Sequence, residues 1–184
     1  MRTPNDTTFN LSIPGFMRPV ELGHLDVLVS TLAPGAIVVE VGSMFGRSSY
    51  CIAKSNPGVT LYCVDQWKGD VVPRYPEFTN SLTEFQKYTA ACPNIITKHI
   101  EQTHVEWDGG KVDMVFIDAG CHANPIEWEI VQYWLPKIKN GGLLTGHDYH
   151  PVYPDVIANV ARLENMGYRK LSPRLNSTIW SFKT

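Results

Sequence analysis

Residues 36–49 read AIVVEVGSMFGRSS, and this stretch decides the fold. Its first half is apolar without alternation, which is typical of a parallel strand covered on both faces. Gly42 and Gly46 then permit a sharp turn into a helix that we place at residues 45–55. The free N–H groups and positive dipole end of that helix favour an anionic group such as a carboxylate or phosphate.

The rest of the chain repeats this order of strand and helix. Apolar runs predict strands at 59–65, 112–119 and 142–149, with a weaker strand at 94–100. Helical spacing and end signals predict helices at 20–32, 81–91, 125–135 and 154–165. Such alternation predicts an α/β fold with a mostly parallel sheet and helices on both faces. Residues 168–172 and 177–182 flank a turn and predict an antiparallel hairpin at the end of the chain.

The 184 residues, of which 43% are hydrophobic, predict one domain with a single core. Residues 1–35 supply an N-terminal segment and the first helix. Residues 67–80 show no periodicity and are too long for a tight turn, so we expect them to form a lid over the sheet edge.

Composition excludes several classes of partner. A formal charge of −2 provides no basic surface for nucleic acid. No apolar run approaches the roughly 20 residues that span a bilayer, so no membrane association is expected. The four cysteines are far apart in sequence, which favours reduced thiols and predicts a cytoplasmic protein. The sequence leaves a monomer and a homodimer open.

The glycine turn discriminates between nucleotide cofactors. Met44 stands where a dinucleotide-binding turn needs its second glycine, and no Lys-Ser or Lys-Thr pair follows as in a phosphate loop. Glu40 would repel a pyrophosphate but attract an ammonium group. S-adenosylmethionine carries both an ammonium and a carboxylate, and therefore fits this turn.

Asp65 ends the second predicted strand, 23 residues after Gly42. An acid at about this separation binds the ribose diol in a nucleotide-binding unit. Gln66 and Trp67 follow directly, and Trp67 either stacks on adenine or covers a core edge.

The E-x-G-x-x-x-G arrangement from Glu40 to Gly46 resembles motif I of the class I methyltransferases. Residues 36–165 are similar to small bacterial and phage methyltransferases, which include sugar and antibiotic O-methyltransferases. The resemblance implies a Rossmann-like, seven-stranded sheet. It also implies a set of residues that bind S-adenosylmethionine: Glu40, Gly42, Ser43, Gly46, Asp65, Gln66, Trp67 and Asp118.

Four residues after the fourth and fifth major strands are candidates for catalysis: Asp118, His122, His147 and Asp148. In metal-dependent members that the sequence resembles, Asp118, His147 and Asp148 would hold a divalent ion such as Mg²⁺ or Mn²⁺. A histidine suits Mg²⁺ poorly, because that ion prefers oxygen ligands. The alternative is a metal-free reaction in which His122 or His147 is the general base and Asp118 orients it.

The resulting prediction is methyl transfer from S-adenosylmethionine to a hydroxyl of a small molecule or sugar. One alternative is a non-catalytic module that binds S-adenosylmethionine. A second alternative is a dinucleotide-dependent oxidoreductase, which Met44 and Glu40 both oppose.

Overall fold

The computed structural model describes residues 8–99, 106–119 and 126–184. The helices are α1 Pro19–Ser30, α2 Arg47–Ser55, α3 Leu82–Thr89, α4 Ile126–Trp134 and α5 Pro154–Asn165. The strands are β1 Ile37–Val41, β2 Thr60–Asp65, β3 Lys68–Val72, β4 Tyr75–Ser81, β5 Ile95–His99, β6 Val112–Ile117, β7 Ile138–Gly146, β8 Arg169–Lys170 and β9 Trp180–Lys183. A 3₁₀ turn, Leu135–Lys137, joins α4 to β7.

Seven of these strands form one sheet in the order β5-β2-β1-β6-β7-β9-β8. The first five in this order pair in parallel, and β9 runs antiparallel to both of its neighbours, β7 and β8. The predicted α/β class, the mostly parallel seven-stranded sheet and the C-terminal antiparallel hairpin are therefore confirmed. The parallel order also brings the carboxyl ends of β1, β2, β6 and β7 to one edge.

Both faces of the sheet are covered, which explains the continuous apolar runs. In β1, Val38 packs in one core with residues of α1 and α2. Val39 and Val41 point to the opposite core, which contains residues of α4 and α5. Among the described residues, Glu40 is the one carboxylate side chain in β1, and it is fully buried.

Two segments differ from the sequence prediction. Strand β7 begins four residues before the predicted start and ends at Gly146, so residues 147–149 follow the strand. Residues 68–81 form a two-stranded antiparallel hairpin, β3–β4, where we expected no regular structure. Both strands carry exposed residues, and the pairing contains register shifts, so neither strand shows the alternation that reveals a half-buried strand.

Residues 8–18 form an N-terminal strap that lies against the carboxyl edge of the sheet. Arg47 donates to the carbonyls of Ile13 (2.7 Å) and Met17 (3.0 Å), and the Tyr75 hydroxyl donates to the carbonyl of Gly15 (2.6 Å). The strap is thus bound to both α2 and the β3–β4 hairpin.

Three cysteines, Cys51, Cys63 and Cys92, are free and buried, as expected of reduced thiols. Cys121 lies outside the described residues. No helix in the described ranges is long and apolar enough to cross a membrane.

Candidate active site

A cavity of about 420 Å³ opens at the carboxyl edge of the sheet. Its walls come from the ends of four neighbouring strands, the strap and the hairpin. The lining residues are 14–17, 42–45, 47–48, 65–66, 118–119 and 147–148, together with Lys68, Asn80 and Tyr153. This is the position in a parallel sheet where ligands bind, and the volume suits a small molecule.

The turn after β1 lies so close to neighbouring segments of the chain that only glycine fits at two of its positions. Gly42 has φ +89°, and a Cβ there would overlap the backbone carbonyl of Asp118. Gly46 has φ +90° and caps α2, and a Cβ there would lie 2.6 Å from a Thr89 methyl carbon. The two glycines therefore permit both the close contact with the next strand end and the entry into α2.

Asp65 holds this turn to the end of β2. One carboxylate oxygen accepts the N–H groups of Ser43 and Met44, each at 2.9 Å, and the other accepts the N–H of Trp67 at 2.9 Å. Met44 has φ +45°, a conformation that non-glycine residues rarely adopt, and the hydrogen bond from its N–H to Asp65 helps to fix it. A carboxylate has about four acceptor positions, so Asp65 can still accept from a ribose hydroxyl in the cavity.

Glu40 lies behind the cavity wall and does not line it. Its Oε2 accepts from the hydroxyls of Ser43 (2.7 Å) and Ser49, while Oε1 is buried with no hydrogen-bond partner among the described residues. Burial raises the pKa of Glu40, against the opposing effect of the serine hydroxyls. Because Ser43 lines the cavity, it connects this carboxyl to a ligand in front of the turn.

Trp67 does not line the cavity either. Its indole N–H donates to the carbonyl of Met44 at 2.9 Å, its ring lies 5.0 Å from that of Phe85, and the side chain is buried. The sequence analysis offered two roles for Trp67, stacking on adenine or covering an edge of the core, and this placement matches the second. Gln66, by contrast, lines the cavity.

The residues that follow β6 and β7 meet, because these two strands are parallel neighbours in the sheet. The Asp118 N–H donates to the Val41 carbonyl at 2.8 Å, and the His147 N–H donates to the Ile117 carbonyl at 3.0 Å. Asp148 has φ +61°. Like Met44 and Trp67, it is a non-glycine residue near the cavity with a positive φ. Asp118, His147 and Asp148 all line the cavity. His122 lies outside the described residues.

His147 is surrounded by hydrogen-bond acceptors. Its Nδ1 lies 3.0 Å from a carboxylate oxygen of Asp148 and 3.3 Å from one of Asp118. Its Nε2 lies 3.1 Å from the Thr178 hydroxyl and 3.4 Å from Glu21. The Thr178 hydroxyl donates to Glu21 at 3.0 Å, so its oxygen can only accept from the ring. Donation from both ring nitrogens, as in an imidazolium, satisfies these acceptors.

The charges agree with this assignment. Burial would lower the pKa of His147, but Asp118, Asp148 and Glu21 raise it to about 12. Burial would likewise raise the pKa of Glu21, but hydrogen bonds from His147 and Arg18 lower it to about 2. Arg18 contacts Glu21 through both its backbone N–H (2.6 Å) and its guanidinium (2.9 Å).

An imidazolium has no free lone pair, so His147 can act as a general base or as a metal ligand only after it loses a ring proton. One ligand atom from each of Asp118, His147 and Asp148 does lie within 4.8 Å of the others. Two carboxylates and one imidazole nitrogen form a donor set that suits a first-row transition-metal ion better than Mg²⁺, and binding of such an ion would displace the ring proton.

Glu21 and Thr178 both contact His147, and the sequence did not reveal either contact. Glu21 is nearly fully buried on α1, although the sequence indicates only a helix with an apolar face there. A buried glutamate and a threonine 157 positions away leave no local pattern, because their contact arises only when the strands assemble.

The comparisons with known proteins agree with this geometry. A family model described as "Methyltransferase domain" matches residues 39–149, from β1 to the residues that follow β7. This is more than half of the chain. No curated protein sequence matches the chain significantly.

Solved structures share the fold at low sequence identity. An S-adenosylmethionine-dependent O-methyltransferase from Thermotoga maritima superposes with a TM-score of 0.69, at 11% identity over 95% of this chain and 68% of that one. An N-methyltransferase from Bradyrhizobium japonicum gives a TM-score of 0.63, at 12% identity over 91% and 97%. A Streptococcus mutans protein in complex with S-adenosylhomocysteine gives a TM-score of 0.61, at 14% identity over 92% and 100%. With this sheet, the glycine turn and the family match over β1 to residue 149, the chain belongs to the methyltransferase-domain family and is an S-adenosylmethionine-dependent methyltransferase.

Proposed function

We propose that this methyltransferase acts on a hydroxyl oxygen of a small molecule or sugar. The observation that carries the proposal is the pair of carboxylates, Asp118 and Asp148, on the cavity wall at the ends of adjacent strands. A carboxylate can accept the proton that a hydroxyl must lose. The formal charge of −2 supports a small acceptor over a nucleic acid.

The residues of the turn fit the cofactor. The first turn of α2 faces the cavity with free N–H groups suited to a carboxylate, Ser43 and Glu40 suit an ammonium, and Asp65 suits a ribose diol. When bound there, S-adenosylmethionine supplies an electrophilic methyl group. The same edge of the sheet then presents Asp118 and Asp148 beside the reacting end of the ligand.

His147 serves these carboxylates as a hydrogen-bond donor. Its ring lies beside both and fixes their positions, as an oriented second partner does in many sites. Asp118 or Asp148 accepts the proton of the acceptor hydroxyl, while the cavity walls align the hydroxyl with the methyl group. Positioning of this kind can provide much of the rate enhancement of a transfer reaction.

The test is a screen for S-adenosylhomocysteine release with matched acceptors that differ in one group, hydroxyl or amine. Hydroxylated acceptors should give turnover, and their amine counterparts should not. Replacement of Asp118 or Asp148 by Asn should lower the rate by about 10²-fold or more, as expected on loss of a general base. The Glu84→Gln variant, which changes an exposed ion pair on α3, is the control and should be unaffected.

Two results would contradict the proposal. One is turnover confined to amine acceptors. The other is full activity with hydroxyl acceptors in both Asp118→Asn and Asp148→Asn, since the carboxylates would then take no part in the reaction.

A further inference from the structure

Phe16 is the exposed residue of a strap segment whose neighbouring residues are buried. Ile13 and Met17 are 0% and 3% exposed, whereas Phe16 keeps 50% of its surface exposed. Its side chain lines the cavity of the candidate active site. Pockets for small molecules are lined mainly by apolar and aromatic side chains, which become covered when the ligand binds. The strap therefore presents an aromatic surface to whatever enters the cavity.

The backbone on both sides of Phe16 is held by hydrogen bonds. Arg47 donates to the carbonyls of Ile13 and Met17, and the Tyr75 hydroxyl donates to the carbonyl of Gly15 at 2.6 Å. These three carbonyls alternate along the strap, with Phe16 between the second and the third. The position of Phe16 is thus fixed before a ligand arrives, and a preorganised surface of this kind loses little conformational entropy on binding.

The ring of Phe16 is supported by the β3–β4 hairpin. Its centroid lies 5.8 Å from that of Tyr75, with an interplanar angle of 58°, and the Arg74 guanidinium carbon lies 5.4 Å from it. These are the distances of aromatic and cation–π contacts. Arg74 and Tyr75 are described residues that lie outside the cavity wall, so they contact the ring from outside the cavity. The part of the ring that lines the cavity remains available to a ligand.

We infer that Phe16 is a specificity-determining residue that stacks on an aromatic ring of the methyl acceptor, so that the acceptor class is a phenol. This inference deepens the proposed function and rests on it for transfer to a hydroxyl. The hydroxyl-activating carboxylates, Asp118 and Asp148, line the same cavity as Phe16. The strap would then select the ring, and the strand ends would act on the hydroxyl that the ring carries.

Two physical arguments favour a phenol over a sugar. An aromatic pair is favourable beyond the apolar area that it buries, whereas a sugar placed against a phenyl ring loses hydrogen bonds between its hydroxyls and water. The second argument concerns the proton. A phenol has a pKa of about 10, as in tyrosine, while an alcohol holds its proton about as strongly as water, whose pKa is about 15.7. A carboxylate accepts the phenol proton far more readily.

The test measures binding to the complex of the unaltered protein with S-adenosylhomocysteine. Two probes of similar size and shape, 4-methylphenol and 4-methylcyclohexanol, are titrated and followed by NMR chemical shifts. Both carry one hydroxyl, but only the first has an aromatic face. We expect the phenol to bind about tenfold tighter, which is the upper part of the range that aromatic pairs give. Methyl glucoside, the sugar probe, should bind more weakly than the phenol.

Variants of Phe16 assign this preference to the strap. Phe16→Leu keeps an apolar side chain without an aromatic face, so the two ring probes should bind equally well. Phe16→Trp keeps the aromatic face and should retain the preference. The matched control is Leu11→Ala, because the Leu11 side chain is 51% exposed on the same strap and does not line the cavity among the described residues. Affinity for S-adenosylhomocysteine should be unchanged in all three variants, which also shows that they are folded.

Three results would overturn the inference: no measurable binding of 4-methylphenol to the unaltered protein, equal or tighter binding of 4-methylcyclohexanol or methyl glucoside, and a preference that persists in Phe16→Leu. The first two need no variant. Failure of the proposed function is distinguishable from these results. Because Phe16 contacts the ring, 4-methylaniline should bind about as well as 4-methylphenol, whichever of the two is methylated in the acceptor screen above.

Discussion

At the scale of single residues, three buried carboxyl groups differ in the partners that hold them. Asp65 accepts hydrogen bonds from backbone N–H groups, and Glu40 accepts them from serine hydroxyls. Glu21 accepts hydrogen bonds from the Arg18 guanidinium and the His147 ring. Hydrogen bonds to an ionised carboxylate are among the stronger ones in proteins. The three groups therefore hold different parts of the structure: Asp65 fixes the glycine turn, Glu40 binds the serines behind the cavity wall, and Glu21 contacts His147.

The Asp65→Asn variant tests the first of these roles. Asparagine offers one carbonyl oxygen in place of two carboxylate oxygens, so at least one of the three backbone donors loses its partner. We expect the free energy of unfolding in urea to fall by about 1–3 kcal/mol, the cost of an unsatisfied buried donor. S-adenosylhomocysteine should also bind more weakly, as measured by calorimetry. Unchanged stability and affinity would show that the turn does not depend on Asp65.

Glu127 gives a prediction about pH. It is buried on α4, accepts from the Asn159 amide at 3.0 Å, and burial raises its pKa to about 7. Because this pKa lies above the ordinary value of 4.5, the neutral carboxyl stabilises the fold below about pH 4.5, and this contribution is lost as pH rises through about 7.

Relative to Glu127→Gln, the unaltered protein should therefore lose stability between pH 5 and pH 8. The difference should be at most about 3 kcal/mol, and urea unfolding at several pH values measures it. Glutamine keeps an oxygen that accepts from Asn159 and does not ionise. Parallel stability curves for the two proteins would contradict the raised pKa.

At the scale of elements, hydrophobic patterning predicted the helices and strands that pack against the core. The five helices and the strands of the large sheet's parallel part bury an apolar side, and the sequence shows it. The β3–β4 hairpin has mostly exposed or half-buried side chains, so its pairing depends on backbone hydrogen bonds that leave little trace in sequence. The buried acids of α1 were missed for a related reason, since their partners lie on other elements.

The turn between β1 and α2 gives the clearest prediction about an element. In Gly42→Ala the new Cβ meets the Asp118 carbonyl, and the backbone must also keep φ +89°. The matched control is Gly141→Ala, which has φ +78° and open space around it, so it carries only the conformational cost. Gly42→Ala should be less stable than the control by about 1–3 kcal/mol, a typical overpacking cost.

Thermal or urea unfolding of the two variants measures this difference. Gly42→Ala should also lose S-adenosylhomocysteine binding, because the collision moves the cofactor turn away from the strand end that it contacts. Equal stability of the two alanine variants, with binding retained in both, would mean that the close approach at Gly42 is unimportant.

At the scale of the whole molecule, the cavity needs walls that the sheet alone does not provide. The strap and the β3–β4 hairpin supply them, and Arg47 and Tyr75 connect the strap to the rest of the domain. The sequence indicated the edge of the sheet at which the cavity opens, because parallel strands bring their carboxyl ends to one edge and the candidate residues follow those ends. It did not predict the strap, since residues 8–18 have no periodicity and are held by contacts with distant residues.

Arg47→Lys tests how the strap is held. An ammonium group cannot reach the carbonyls of Ile13 and Met17 in the two directions that the guanidinium spans. Amide hydrogen exchange in residues 8–18 should become faster by about tenfold, which corresponds to one or two lost hydrogen bonds. The control is Arg162→Lys, which changes an exposed residue of α5. In this variant, amide hydrogen exchange in the strap should be unchanged. Equal exchange in both variants would show that Arg47 does not hold the strap.

The central claim is that S-adenosylmethionine binds at the edge of the sheet formed by Gly42, Asp65 and Asp118. Its most direct test is calorimetric titration of the unaltered protein with S-adenosylhomocysteine and, separately, with a nicotinamide dinucleotide. The account predicts saturable binding of one S-adenosylhomocysteine per chain and no binding of the dinucleotide. Binding of the dinucleotide without binding of S-adenosylhomocysteine would contradict it.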